Sequence, residues 1–318
     1  MNLKHKLIAL ILLVGIVPAL IIGAVSIQKN RATLEQQVFE ELQAQRTIKA
    51  NQIFQHFVDA QHNIESLADS LSLLIEKQGL EAAIIEVDLN GQSLFSRYIE
   101  RNGYNDLFLL DIEGYNFYSV TQEAGYQTNL VTGIYHTSGL GEVVQKTIAD
   151  GQYHMSDFAP YAPSKGDPAA FIAAPVKVQG DVVMILAMQV SLGGINNIMA
   201  ERTGMSDSNE TYLVGADLLM RSDSFLDPTY HSVQTSFANP LLGKLDTEAT
   251  RQSLLGNTGS QTIIGYNGNP VLSAYAPLPL QDGVVWNIVA EIDEAEAFAP
   301  IFALQTTMLI LAGVGVVL

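Results

Sequence analysis

From Lys29 to Lys77 the chain contains neither glycine nor proline. A stretch this long without the two main backbone breakers reads as one helix. At about 1.5 Å per residue it reaches roughly 70 Å, so the rest of the fold has to be arranged along it. Ala50, Ile53, Phe57, Ala60, Ile64, Leu67, Leu71 and Leu74 recur at alternating steps of three and four. That is a heptad seam, and it can pack on the chain's own sheets or on the same helix of a second copy. Upstream the seam meets Arg46 and Gln43 and loses its apolar character. Gly79 is the expected C-terminal stop.

The helix is preceded by Leu7–Ile27, 21 residues without a charge, and the chain ends in a second such run, Phe298–Leu318. Each is long enough, at roughly 30 Å, to cross the hydrocarbon core of a bilayer. Pro18 falls inside the first, where a membrane helix tolerates it. The first run exceeds the length of a signal-peptide core, and no clean small-residue cleavage site follows it. Lys4 and Lys6 place residues 1–6 in the cytoplasm by the positive-inside bias. The expected order is therefore a cytoplasmic N-terminus (1–6), a transmembrane helix (7–27), an extracytoplasmic region and a second transmembrane helix (298–318). A cytoplasmic output region is expected beyond it.

All 33 acidic residues and all but two of the 16 basic ones lie between the two runs, in a chain of net charge −17. Seven Arg and nine Lys are scattered singly. Without a basic patch, so acidic a chain repels nucleic acid, and that partner class is excluded. There is no cysteine, which removes disulfides, thiolate metal sites and cysteine nucleophiles. The six His show no metal-ligand spacing, and no P-loop or G-x-S-x-G occurs. No cofactor and no enzymatic activity are expected.

After a second helical stretch, Leu80–Asn102, the pattern changes to short strands with turn signals. Leu107–Ile112 and Tyr115–Val120 read as a hairpin around Glu113-Gly114. Leu140–Ala149 reads as a helix. Tyr153–Phe158, Ala169–Val178 and Asp181–Val190 read as strands, the last two joined at Gln179-Gly180. A connecting helix, Leu192–Arg202, leads to a second round. Thr211–Gly215 and Leu218–Ser222 form a hairpin around Ala216-Asp217. Gln261–Tyr266, Pro270–Pro277 and Val284–Ile292 follow, with Asn267-Gly268-Asn269 as a hairpin turn. The fold class is α+β, with a stalk helix carrying two antiparallel-sheet modules of the same type.

The stretches YNDLFLLDIEGYNFYSV (104–120), SDFAPYAPSKGDPAAFIAAPV (156–176), ETYLVGADLLMRSDSF (210–225) and NPVLSAYAPLPLQDGVVWNIVAEID (269–293) resemble the double-Cache sensor family. These are tandem PAS-like modules found outside the membrane in bacterial chemoreceptors and sensor enzymes. The resemblance covers 28–297 and implies a stalk helix (28–78), a membrane-distal module (79–191) and a membrane-proximal module (192–297). It implies a receptor of the methyl-accepting chemotaxis type in the bacterial inner membrane. The alternative is the sensor region of a histidine kinase or of a diguanylate or adenylate cyclase. Its implied partners are a small ligand, membrane lipid, a second copy through the stalk, and cytoplasmic signalling proteins.

The resemblance further implies a ligand pocket in the distal module, between the sheet and the loop after the first hairpin. Aromatic walls with a few polar groups suit a small amine, amino acid or carboxylate. Tyr118, Tyr126, Tyr135, Asp157, Phe158, Tyr161, Phe171, Ala173 and Met188 are the expected lining. Asp157 is the sharpest, because a carboxylate beside aromatic rings suits an ammonium group. Amino-acid-binding members carry an Arg-x-x-Trp-Tyr segment, whereas the corresponding 139–158 here has neither Arg nor Trp.

Overall fold

The structure, a computed structural model, describes residues 3–79 and 93–317. Most side chains of Leu7–Ile27, and those of 309 and 311–318, lie outside that description, as do residues 80–92 of the second expected helix. Among the described residues no helix is long and apolar enough to cross a membrane. The first helix, α1, runs unbroken from Leu3 to Gln78 with Pro18 inside it. The expected boundary between residues 27 and 28 is therefore not a break in the backbone.

The seam of α1 faces the chain's own sheets. Ile53, Phe57, Ala60, Ile64, Leu67 and Leu71 are buried. The stripe also extends upstream through Leu42, Arg46 and Lys49, all buried. The two cations sit there because backbone carbonyls receive them. Arg46 Nη1 donates to Tyr275 O at 2.8 Å. Lys49 Nζ donates to Ile198 O and, at 2.8 Å, to Glu201 O. Each long side chain lays its alkyl stem along the seam while its head satisfies acceptors at the far side. The seam ends differently from the expected spacing, because Leu74 is exposed and Ile75 packs inward in its place.

The distal module opens with α2 (Leu94–Asn102), which Ser93 caps. Its sheet holds β1 (Tyr104–Leu110), β2 (Asn116–Ser119), β3 (His154–Met155), β4 (Ala159–Pro160), β5 (Pro168–Val178) and β6 (Asp181–Val190), with α3 (Gly139–Asp150) between β2 and β3. The strand order is β2-β1-β6-β5-β3, with β4 also on β5, all antiparallel. Gln179 and Gly180 both take positive φ, which joins β5 to β6 by the tight turn whose twist suits a hairpin. Of the expected strand Tyr153–Phe158 only His154–Met155 is a strand, and the segment between it and β4 brings Asp157 onto Arg221 of the other module.

A connecting helix, α4 (Leu192–Ala200), leads to the proximal sheet of β7 (Glu210–Val214), β8 (Gly259–Ile264), β9 (Pro270–Pro279) and β10 (Val285–Asp293), in the order β7-β10-β9-β8. The expected second strand of the 211–222 hairpin reduces to one bridge, Val214 to Met220. Three short helices follow it, α5 (Val233–Ala238), α6 (Pro240–Gly243) and α7 (Glu248–Leu254). Ser232 with Thr235, and Thr247 with Thr250, form the capping boxes that start α5 and α7.

Each sheet has one face on α1 and one turned away. Leu107, Leu109, Ile172, Leu186 and Met188 face α1, and the same core takes in Leu213, Leu278, Trp286 and Ile288 of the proximal sheet. The side chains of α1 thus join both modules in one core. β10 runs directly into α8 (Glu294–Ala297) and then α9 (Ala299–Val317). Arg31 of α1 pairs with Glu294 at 2.6 Å and lies over the Phe298 ring at 4.6 Å.

Candidate functional site

Side chains on a strand alternate faces, so neighbouring residues of β5 and β6 serve different surfaces. Phe108, Leu110, Phe171, Ala173, Ile185 and Ala187 face away from α1 and pack with Leu130, Val143, Val144 and Tyr161. This is the face that the loop after β2 covers, and it is the expected pocket wall. Tyr135, Tyr161, Phe171 and Ala173 meet there. Met188 and Phe158 are in the core on the α1 side, where Tyr118 also packs. Met188 stands opposite Ile172 in the pairing, one residue out of step with Ala173. Tyr118 packs its ring on Phe95 and shares a hydrogen bond with Ser93 Oγ at 3.0 Å. Tyr126 is half-buried on the covering loop.

Tyr161 is the centre of this face. Its ring meets Phe171 edge-on, with centroids 4.8 Å apart. The residue is 1% exposed, and its hydroxyl has no hydrogen-bond partner. Burial, with the charges of Glu123 and Asp106 nearby, pushes the phenol well up, so it stays protonated and can donate. Asn116 Oδ1 is a second buried, unpartnered atom, while the Asn116 amide donates to Gly125 O at 3.0 Å. Such groups cost free energy unless something polar reaches them.

Two polar residues that the sequence reading did not single out share this face. Gln189 stands opposite Phe171 on one side and Asp106 on the other. Asp106 accepts from the backbone N–H groups of Leu107, Val120 and Thr121 and from the Ser119 and Thr121 hydroxyls, at 2.5–3.1 Å. Burial raises its pKa, against the hydrogen bonds that favour the carboxylate. Gln189 interrupts the apolar run 182–190 and Asp106 borders the apolar run 107–110, and that contrast is the signal that marks them.

Asp157 differs from its expected role as an ammonium acceptor. Arg221 of the proximal module donates Nε to Asp157 Oδ1 and Nη2 to Oδ2, both at 2.8 Å. Trp286 Nε1 donates to Oδ1 at 2.8 Å, and Phe158 N at 2.7 Å. A fork-to-fork pair of this kind satisfies a guanidinium that is otherwise enclosed, since the Arg221 side chain is 2% exposed. Gly215 makes room for it, because a Cβ there would sit 2.2 Å from the guanidinium carbon. Beside this pair, Asp282 binds His154 Nδ1 at 3.0 Å and accepts from Met155 N at 2.6 Å. The 154–157 segment is thus the joint between the modules.

No protein-family model matches the chain, and no curated protein matches it. Solved structures do. The ligand-binding domain of the Pseudomonas fluorescens chemoreceptor CtaA, in complex with L-isoleucine, is 17% identical at a TM-score of 0.54, over 86% of this chain and 98% of that one. That of the Pseudomonas aeruginosa PAO1 amino acid chemoreceptor PctB, in complex with L-Arg, is 16% identical at 0.53, over 83% and 98%. The sensory domain of the Campylobacter jejuni chemoreceptor Tlp3 is 10% identical at 0.59, over 84% and 98%. The chain therefore carries the fold of the ligand-binding domains of bacterial chemoreceptors, the fold that its motifs resemble.

Proposed function

We propose that this chain is the sensory region of a bacterial transmembrane chemoreceptor that binds a small ligand in its distal module. Leu7–Ile27 and Phe298–Leu318 are assigned as the membrane helices, with 28–297 in the periplasm. The observation that carries the ligand site is the Tyr161 hydroxyl, buried without a partner under the 121–138 loop. The carboxylate of an amino acid or organic acid supplies the missing acceptor, an amine instead donates to the phenol oxygen, and Tyr135, Phe171, Asp106 and Gln189 surround it. Binding that closes the loop favours one arrangement of α1 and α9 over another. Transmission requires that the ligand prefer one of the two states. Ile48 and Phe54, exposed on α1, support pairing of two copies through this helix. Signalling proteins in the cytoplasm read the output.

The test is a thermal-shift screen of the full chain against amino acids, amines and carboxylates. A ligand that binds only the folded state raises the midpoint by mass action. The shift is expected to vanish in Tyr161→Phe. A confirmed ligand whose shift survives that change would remove Tyr161 from the site.

A further inference from the structure

The last strand of the proximal sheet has one side unpaired. In the order β7-β10-β9-β8, β8 pairs with β9 alone among the described residues. Gly265 N donates to Asn269 O at 2.8 Å where the hairpin turn begins. Bonded and non-bonded pairs alternate along an antiparallel ladder, so Ile263, Gln261 and Gly259 are the other residues bonded to β9. The backbone N–H and C=O groups of Ser260, Thr262 and Ile264 therefore point away from it. The opposite end of the sheet is closed, because Arg221 N donates to Leu213 O at 2.8 Å and Leu213 N donates to Ser222 Oγ at 3.0 Å. A free edge is normally guarded by a charge, a proline or a bulge. The sequence of β8, GSQTII, has neither charge nor proline, and its register with β9 is unbroken.

A groove with a volume of about 690 Å³ lies beside this edge. Thr262 and Ile264 form one wall, and the other comes from α6, α7 and the turn between them. Leu242 and Ile264, 54% and 60% exposed, put one large apolar side chain on each wall. Two cations line the groove, Lys244 and Arg251. Asp246 holds Arg251 at 2.7 Å. Lys244 has no ion pair among the described residues, which leaves its charge open to an anion.

We propose that this groove binds a short extended peptide with a free C-terminal carboxylate, which adds to the sheet beside β8. In strand addition the affinity comes from main-chain hydrogen bonds, which any extended chain can make. Thr262 and Ile264 each offer one donor and one acceptor, two residues apart along the strand. A single amino acid is too short to meet both. Leu242 and Ile264 receive an apolar side chain of the peptide, and Lys244 receives its carboxylate. The peptide thus acts on the sheet whose β10 runs straight into α8. This site and the distal one stand or fall separately.

The experiment titrates tetra-L-alanine into the full chain, in detergent at pH 7, by calorimetry. The expected result is saturable binding. The same peptide N-methylated at its three peptide bonds keeps both terminal charges but has no main-chain amide N–H, and it binds about tenfold or more weakly, the scale of one or two hydrogen bonds. The C-terminal amide loses about as much, and Lys244→Met removes the difference between acid and amide. Thr262→Pro deletes one outward N–H, leaves the bonds to β9 in place, and weakens the peptide by about threefold to tenfold. The proposal is overturned by absence of saturable binding to the folded wild type. Equal binding of the N-methylated peptide, or of acid and amide, also overturns it. Peptide-independent self-association that Thr262→Pro abolishes would assign the edge to a second copy and overturn it too.

Discussion

Replacing Asp157 by Ala removes the acceptor for Arg221 Nε and Nη2, for Trp286 Nε1 and for Phe158 N. All four donors belong to buried residues. Hydrogen bonds to a charged group contribute about 1.5–3 kcal/mol each, but they are not additive. Removing one partner of a buried ion pair costs about 3–5 kcal/mol. The Asp157 side chain is 30% exposed, so water replaces part of what is lost, and Asp217, 3.1 Å from Arg221 Nη1, keeps some compensation. The expected destabilisation is about 2–4 kcal/mol. Denaturant unfolding of the full chain measures it, followed by the emission of Trp286, the only tryptophan. That emission moves to the red as water reaches the indole N–H. Arg221→Met shows a similar loss, and the double variant is less destabilised than the sum of the two, by about 1.5 kcal/mol or more. A loss below about 0.5 kcal/mol for Asp157→Ala, or strictly additive effects, would refute the joint as described.

Four further outcomes follow from the packing and the charges. The native state holds a proton on Glu291 up to about pH 7, against 4.5 for the free group. Between those values the folded form binds more protons than the unfolded form, so this group's contribution falls as pH rises through that window and levels off above it. Glu291→Gln is expected to match wild type below pH 4.5 and to exceed it by up to about 3 kcal/mol at pH 8, measured by urea unfolding across pH. Lys49→Met leaves the carbonyls at the end of α4 without their cation, and should cost about 1–2 kcal/mol in the same assay. Phe57→Ala empties the space beside Trp286, whose ring lies 5.4 Å away, and should cost about 3–5 kcal/mol. Gly215→Ala forces the Arg221 guanidinium aside and should reproduce the red shift of Asp157→Ala in Trp286 emission.

The elements with strong periodicity were legible in the sequence. The seam of α1 states its own packing face, and β5, β6, β9 and β10 follow from continuous β-prone runs bounded by turn pairs. The short helices α5 to α7 escaped, since four to seven residues give no readable period, although the Ser232 and Thr247 capping boxes mark two of their starts. Arg46 looked like the end of the seam because its acceptor, Tyr275 O, lies more than a hundred residues away, and Lys49 is held in the same way by Glu201 O. The site divides in the same way. Phe171, Ala173, Tyr135 and Tyr161, named from the family resemblance, share one face of the distal sheet, two of them from β5 and two from loops that cover it. Asp157 carried the right chemistry for a ligand, but its partner, Arg221, is a proximal-module residue whose proximity only the folded chain supplies.

The junction at Asp293 and Glu294 has a mechanical consequence. Strand β10 lies between β7 and β9 in the proximal sheet and passes into α8 with no intervening loop. A linkage without a loop has no backlash, so a twist of the sheet turns α8 with it, and Phe298 is the one residue between α8 and α9. Phase then matters more than distance. One residue inserted between Asp293 and Glu294 rotates everything after it by about 100°, whereas an insertion of seven restores the original facing within about 20°. Under the function proposed above, the response is expected to be lost and regained as inserted length steps through successive helical turns.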